Sequence, residues 1–171
     1  MHLFLIASRR TRVGFQVNLA TGLVHLHPPK HHVHAMSLVH EILAVSPDNV
    51  PALLAQGYIH QARKEWQHSK ESFEKVVDVE PESHHALRAR EESAWCETKM
   101  GQFDTAIDHF SAVLNVLETL EGKEADSARC LWRLGQTHWN RGDDAKGEAY
   151  TLFIRALKKD SSYAPAFTSL G

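Results

Sequence analysis

The amino-acid sequence predicts an all-α protein, an α-solenoid of antiparallel helix hairpins wound as a right-handed superhelix. Three observations carry this prediction. A pattern of small and large apolar residues recurs at intervals of 34 to 43 residues, which is typical of stacked helix pairs. Residues that end or cap helices stand between the copies. A composition of 43% hydrophobic and 23% charged residues allows a packed core.

The second helix of each hairpin carries the clearest copy of the pattern. A small residue is followed by a large apolar residue four positions later, and by another apolar residue three positions after that. Because one hairpin cannot bury its apolar face alone, such units stack on one another. Four copies fit this description: Ala35, Val39 and Ile42; Ser69, Phe73 and Val76; Ala106, Phe110 and Val113; and Ala149, Phe153 and Ala156.

The first helix of each hairpin carries a bulky residue, then Leu-Gly, then an aromatic residue, in approximate copies. These copies are Leu53, Gly57 and His60; Leu131, Leu134, Gly135 and His138; and a restart at Phe167, Leu170 and Gly171. The helix at 84–99 fits less well, with Ala94 at the Gly position. Together the two patterns resemble the tetratricopeptide repeat, a family of protein-binding helix hairpins.

Turn residues set the boundaries of the predicted helices. The segments 46–49 and 80–83 contain Pro to stop one helix and a polar residue to cap the next. The segments 99–102 and 140–143 place Gly where a left-handed residue is needed. Helices are therefore predicted at 34–46, 50–63, 67–79, 84–99, 103–118, 124–141, 144–158 and 163–171.

Two size classes of residue are expected to pack the array. Small residues let the antiparallel helices approach closely, and large rings fill the space between neighbouring hairpins. The residues assigned to repeat packing are Gly57, Phe73, Pro81, Ala106, Phe110, Gly135, Ala149 and Phe153.

The repeat array is expected to span residues 31–171, after a poorly ordered or irregular leader at 1–30. The alternating apolar residues at 13–19 are a weak β-hairpin signal, and the irregular leader is preferred over it. The last first-type helix stops at Gly171 without a partner helix. We therefore expect the last repeat to be truncated, with an exposed half-repeat that is a candidate for self-association.

The first helices of such arrays line the concave face, where partner proteins bind. Trp132 and Trp139 are seven residues apart and are expected to share one helix face, although repeat packing is preferred for at least two of the tryptophans. The adjacent acids Glu91 and Glu92 are expected on a solvated face. The candidate partner-binding residues are Arg88, Trp95, Lys99, Arg129, Arg133, Gln136, Trp139 and Asn140.

Chaperone-type repeats of this family hold a C-terminal carboxylate with Lys and Asn on successive first helices. The matching positions here carry other residues, so a co-chaperone role loses support. Those positions are Leu54, Tyr58, Glu91, Trp95, Trp132 and Gln136.

Neither catalysis nor a cofactor is predicted. The net charge of -2 argues against direct nucleic-acid binding and against a polybasic membrane contact, and no apolar run is long enough for a membrane helix. No catalytic residue, phosphate loop or metal site is identified. A histidine cluster straddles a Pro-Pro pair and lacks Cys or carboxylate at ligand spacing; its members are His25, His27, His31, His32, His34 and His40.

The most distinctive stretch runs from residue 128 to residue 171. It reads ARCLWRLG at 128–135, AYTLFIRALK at 149–158 and YAPAFTSLG at 163–171. This resembles the tetratricopeptide scaffold subunits of the superkiller (Ski) complex. The resemblance implies a non-catalytic, cytoplasmic scaffold that holds an RNA helicase subunit and a WD-repeat subunit beside the exosome in 3′-to-5′ mRNA decay. Members of that family are far longer, so the chain is expected to be an internal slice.

Two other functions remain open on the sequence. One is a free-standing tetratricopeptide adaptor that binds peptides in another pathway. The other is an enzyme with a histidine-based metal site, which would need stoichiometric metal that depends on His31 and His34.

Overall fold

A computed structural model describes residues 32–171, and the predicted leader at 1–30 lies outside the described residues. Within the described range the chain forms α-helices and one short 3-10 turn, and no strand occurs there. The all-α prediction is therefore confirmed for this range, and every predicted helix is present with ends within two residues. The elements are α1 (His32–Val45), α2 (Val50–Ala62), α3 (Trp66–Val79), α4 (His84–Lys99), α5 (Phe103–Glu118), α6 (Glu124–Arg141), the 3-10 turn Asp143–Ala145, α7 (Lys146–Lys159) and α8 (Ala164–Leu170).

The chain divides into two compact units, with the boundary inside α4. The first unit ends at Ala89 and the second begins at Arg90. In the first unit, α1 packs against α2 and α2 packs against α3. In the second unit, α6 packs against both α5 and α7, and α8 packs against α7. Short connections join each packed pair, as expected for antiparallel helix hairpins.

Local side-chain chemistry fixes several helix ends where the sequence predicted them. The Asn49 side chain accepts a hydrogen bond from the Ala52 amide at 3.0 Å and so caps α2. The Ser83 hydroxyl accepts from the Ala86 amide at 3.1 Å at the start of α4. Gly101, after α4, has a φ of +80°, a backbone conformation that costs glycine little.

The core of the first unit depends on one close approach between α2 and α3. A Cβ atom added to Gly57 would lie 2.6 Å from Cε1 of Phe73, so only a hydrogen atom fits there. The Phe73 ring is fully buried and meets the ring of Tyr58 edge-on, with 5.3 Å between centroids. The remaining core joins α1 to α2 through buried aliphatic side chains, namely Ala35, Met36, Leu38, Val39, Ile42, Ala52, Ala55 and Ile59.

The second unit repeats this packing between α6 and α7. A Cβ atom on Gly135 would lie 2.5 Å from Cε1 of Phe153 and 3.2 Å from the carbonyl oxygen of Ala149. Phe110 of α5 is also buried, and the thiol of Cys130 lies 3.6 Å from its carbonyl oxygen. The sequence assigned the large rings to the space between hairpins. Phe73 and Phe153 instead fill the hole that a glycine leaves inside their own hairpin.

The predicted packing residue Pro81 has a different place from the rest of its group. It lies exposed in the turn between α3 and α4, whereas Ala106 and Ala149 are completely buried. None of the helices in residues 32–171 is both long and apolar enough to cross a lipid bilayer.

Candidate partner-binding surface

A layer of buried ion pairs joins α4 to α6 in the second unit. The Nε and Nη2 atoms of Arg129 donate to the carboxylate of Glu91 at 2.9 and 2.8 Å, a two-pronged contact. The Nη2 atom of Arg129 also donates to Asp126 at 2.7 Å. Arg133 approaches both Glu91 at 3.1 Å and Glu92 at 3.2 Å. We call these five side chains the ion-pair layer.

The two glutamates of the ion-pair layer are buried, with only 1% and 0% of Glu91 and Glu92 exposed. The expectation that they lie on a solvated face is therefore wrong. The physical reason is that α6 supplies two guanidinium groups, which neutralise the carboxylates and make their burial tolerable.

The pKa shifts of Arg129 and Asp126 follow from their hydrogen bonds within the ion-pair layer. Burial disfavours the charged form of Arg129, but its hydrogen bonds and attraction to Glu91 outweigh this, so its pKa is raised. Burial would raise the pKa of Asp126, yet the hydrogen bond from Arg129 outweighs it and lowers the pKa. Both groups are therefore held in their charged forms near neutral pH.

An aromatic layer lies next to the ion-pair layer on the same helices. The rings of Trp95 and Trp132 have centroids 6.0 Å apart, and Trp132 meets Tyr163 edge-on at 6.2 Å. The indole N–H of Trp132 and the amide of Gln136 both donate to the Ser169 hydroxyl, at 2.9 and 3.1 Å. The aromatic layer therefore ties α4, α6 and α8 together.

Beyond these layers, a hydroxyl pair continues the contact between α4 and α6. The side chains of Thr98 and Thr137 are both buried, and their oxygen atoms lie 2.8 Å apart. The Thr98 hydroxyl lies 3.1 Å from the carbonyl oxygen of Ala94, and the Thr137 hydroxyl lies 2.9 Å from that of Arg133. Because each hydroxyl has one hydrogen, one threonine donates to its carbonyl and accepts from the other threonine, which donates across the pair.

Lys99 stands at the exposed end of this surface. Its Nζ atom lies 4.2 Å from the centre of the Trp95 ring, and the guanidinium carbon of Arg133 lies 5.3 Å from the same centre. Both distances are in the range of cation–π attraction. Burial lowers the pKa of Lys99, and the positive charge of Arg133 lowers it further.

The structure brings five of the eight predicted partner-binding residues together, namely Trp95, Lys99, Arg129, Arg133 and Gln136. Arg88 lies in the first unit, where its Nε atom donates to the Tyr58 hydroxyl at 3.3 Å. Trp139 packs edge-on against Tyr150 of α7 at 5.6 Å, with the Lys146 ammonium 4.9 Å from its ring. Asn140 is exposed near the end of α6.

Trp132 and Trp139 both pack against aromatic rings of neighbouring elements, as was preferred for at least two of the tryptophans, but their neighbours differ. Trp132 contacts α4 and α8, whereas Trp139 contacts α7 and Lys146 at its start. Seven residues return a helix to nearly the same side but two turns further along, where a different neighbour is in reach.

Several residues of this surface were not among the predicted binding residues. A signal for Glu91 and Glu92 was present, because they are followed directly by the small residues Ser93 and Ala94 on a helix that has few large apolar side chains. Acids inside such a stretch point to buried partners of opposite charge. Tyr163 and Ser169 carry no comparable signal, since their role depends on how α8 docks.

Each compact unit has a surface cavity. In the first unit a largely apolar groove of about 570 Å³ is lined by side chains of α1, α2 and α3, including Leu43, Leu53 and Val79. In the second unit a polar pocket of about 230 Å³ lies beside His138, Gly142 and Glu148. Among residues 32–171, no three His, Cys, Asp or Glu side chains are grouped to hold a metal ion, and His25, His27 and His31 lie outside that range.

Comparison with known proteins gives two similar sequences and no matching family profile. The chain is 30% identical over 162 residues to Superkiller protein 3 of Schizosaccharomyces pombe, which covers 94% of this chain and 11% of that protein. It is 28% identical over 169 residues to Superkiller protein 3 of Saccharomyces cerevisiae, covering 94% of this chain and 12% of that protein. The similarity reaches far beyond residues 128–171, but the chain spans only about a ninth of the length of these relatives.

Solved structures with the same fold are tetratricopeptide-type proteins. The RS-1 ArsTM double mutant of MamA superposes with a TM-score of 0.70 at 16% identity, covering 92% of this chain and 80% of that one. A putative kinesin light chain of Podospora anserina with TPR-like repeats also gives 0.70 at 16% identity, covering 88% and 75%. At such identities the likeness shows the fold alone. The predicted all-α, tetratricopeptide-like fold and the resemblance to a superkiller protein are confirmed.

Proposed function

We propose that this chain, a tetratricopeptide-like array similar in sequence to Superkiller protein 3, is a non-catalytic protein-binding scaffold. On this proposal it corresponds to a slice of the scaffold subunit of the superkiller complex, which supports exosome-mediated 3′-to-5′ mRNA decay in the cytoplasm. Its partners would be the RNA helicase subunit and the WD-repeat subunit of that complex.

The observation that carries the proposal is the sequence similarity over 94% of the chain to two superkiller proteins from different yeasts. Similarity of this extent covers both compact units and not one motif alone. A shared fold would not single out this family, because many unrelated functions use the same helix hairpins.

The chemistry of the candidate surface supports a binding role over a catalytic one. The carboxylates of Glu91 and Glu92 form ion pairs with Arg129 and Arg133, so their role is to hold α4 against α6. Aromatic rings lie next to these ion pairs, and Lys99 and Asn140 expose polar side chains further along α4 and α6. Aromatic, cationic and amide groups on rigid helices are typical of protein-binding surfaces.

Affinity capture of the tagged 171-residue chain from cells tests this proposal. We expect the helicase and WD-repeat subunits to be recovered with it, identified by mass spectrometry. The double variant Lys99→Glu/Asn140→Glu should reduce their recovery several-fold, because it places carboxylates at two exposed positions that were predicted to bind the partner.

A matched control is Lys158→Glu, a charge reversal on the exposed side of α7. Its recovery of both subunits should equal that of the unmodified chain. If the unmodified chain captures neither subunit, the superkiller part of the proposal is wrong. If Lys158→Glu and the double variant lose the subunits equally, the partner-binding surface lies elsewhere.

A further inference from the structure

Lys99 is an exposed ammonium group whose electrostatic surroundings are unusual. Its Nζ atom rests 4.2 Å from the centre of the Trp95 ring. Among the residues that the structure describes, the charge acting on it comes from Arg133, another cation, and no carboxylate pairs with it. An ammonium group held beside a like charge gains from an anion that arrives from outside.

The second cation of this site, Arg133, already forms ion pairs within the protein. Arg133 directs its Nη1 atom towards Glu91 and Glu92 at 3.1 and 3.2 Å, while its guanidinium carbon lies 5.3 Å from the Trp95 ring. The ion pairs with Glu91 and Glu92 thus fix Arg133 in place, so its guanidinium group is not free for a further carboxylate. The group left to pair with a ligand is the ammonium of Lys99, whose single charge suits one carboxylate better than a polyanion.

The groups around Lys99 favour a peptide as the source of that carboxylate. The half-buried rings of Trp95 and Trp132 offer apolar contact to a neighbouring side chain. Gln136 and the exposed Asn140 lie further along α6 and carry amide groups that can bond to a peptide backbone.

We infer that Lys99, Trp95 and Arg133 form a subsite for one Asp or Glu side chain of an acidic, aliphatic-rich partner segment lying along the first helices. The inference rests on the proposed partner-binding role of this surface and adds the chemistry of the partner. The positions that hold a terminal carboxylate in chaperone-type repeats carry other residues here, and Lys99 is not one of those positions. The proposed bound group is an internal Asp or Glu side chain, so a free peptide terminus is not required.

The probe for this subsite is a short acetylated and amidated peptide that alternates Glu with Leu, compared with the same peptide carrying Gln in place of Glu. Binding is followed by NMR through the indole N–H signals of the chain. We expect the signal of Trp95 to shift with the Glu peptide, with an affinity at least about fivefold higher than for the Gln peptide. Raising the salt concentration should reduce this preference.

Three variants separate the subsite from general effects on the fold. Lys99→Gln should remove the preference for the Glu peptide, and Lys99→Arg should retain most of it. Lys158→Gln changes an exposed lysine on α7 and should leave the preference unchanged. Equal affinity for the Glu and Gln peptides, or an unaltered preference in Lys99→Gln, would overturn the inference.

The peptide experiment tests the subsite, and the capture experiment tests the superkiller assignment, so either proposal can be rejected without the other. Loss of helicase and WD-repeat capture with an intact Glu-peptide preference rejects the superkiller assignment and leaves the subsite standing. Intact capture by Lys99→Gln, together with no Glu-peptide preference, rejects the subsite and leaves the scaffold proposal standing.

Discussion

At the scale of single residues, the lack of a Cβ atom at Gly57 and Gly135 lets the two helices of a hairpin pack closely. Each lies under a phenylalanine ring of the following helix, and a Cβ atom at either position would come within 2.6 Å of that ring. Phe73 and Phe153 are both buried, in an interior that is expected to be close-packed. Hairpin packing therefore selects glycine at these positions despite its low helix propensity.

We predict that Gly135→Ala destabilises the protein by about 1–3 kcal/mol, because overpacking forces Phe153 or the backbone to shift. The measurement is the free energy of unfolding from urea denaturation followed by circular dichroism. The control is Gly147→Ala in α7, where an added Cβ meets no atom within 4 Å. That variant should be neutral or gain up to about 1 kcal/mol from helix propensity. Equal losses in both variants would contradict the packing argument.

At the scale of helices, the ion-pair layer sets how α6 lies against α4. Arg129 and Arg133 are one turn apart on α6 and reach the adjacent Glu91 and Glu92 on α4. A shift of either helix by one turn would leave buried charges without partners, which costs several kcal/mol. The layer thereby holds Trp95 and Trp132 in position for the aromatic layer.

We predict that Arg129→Met destabilises the protein by about 3–5 kcal/mol, because it leaves part of the buried Glu91 charge uncompensated. The double variant Glu91→Met/Arg129→Met should recover much of this loss, since it removes both charges. Thermal and urea unfolding would measure the changes. The control Arg155→Met removes an exposed contact to Glu118 at 3.4 Å and should cost less than about 1 kcal/mol. A double variant no more stable than Arg129→Met would contradict the role assigned to the layer.

At the scale of the whole molecule, stability should depend on pH through His138 in the second unit. Burial lowers the pKa of His138, and the charge of Arg141 lowers it further, while Glu148 opposes the shift. The unfolded chain therefore binds more protons than the folded one as the pH falls through the ordinary histidine pKa. The stabilising contribution is complete above about pH 6.5 and is lost as the pH falls below it.

We predict that the unfolding free energy falls between pH 7.5 and pH 5.5, and that His138→Gln makes this fall smaller. Urea unfolding at both pH values gives the two differences to compare. The comparison concerns the slope with pH, so a uniform loss of stability in the variant does not affect it. An unchanged slope in His138→Gln would contradict the assignment of this dependence to His138.

The sequence by itself determined those features whose causes lie within about one helix turn. Helix bounds followed from apolar periodicity, Asn49 and Ser83 cap because their side chains reach an amide three residues on, and Gly101 takes a left-handed conformation. The size pattern also identified the glycine and phenylalanine positions of each hairpin. These are local rules that act on any chain with the same residues at the same spacing.

Only the tertiary structure decided which side chains on separate helices meet. Glu91 and Arg129 are 38 residues apart, and Trp132 and Ser169 are 37 apart. Neither contact can therefore be predicted from the spacing of residues within one helix. The packing of the helices also buries Glu91 and Glu92, which were expected on a solvated face, and places Trp139 against Tyr150 of α7. The physical reason is that periodicity fixes which side of a helix is apolar, whereas the neighbouring helix decides which charged side chains find a partner of opposite charge.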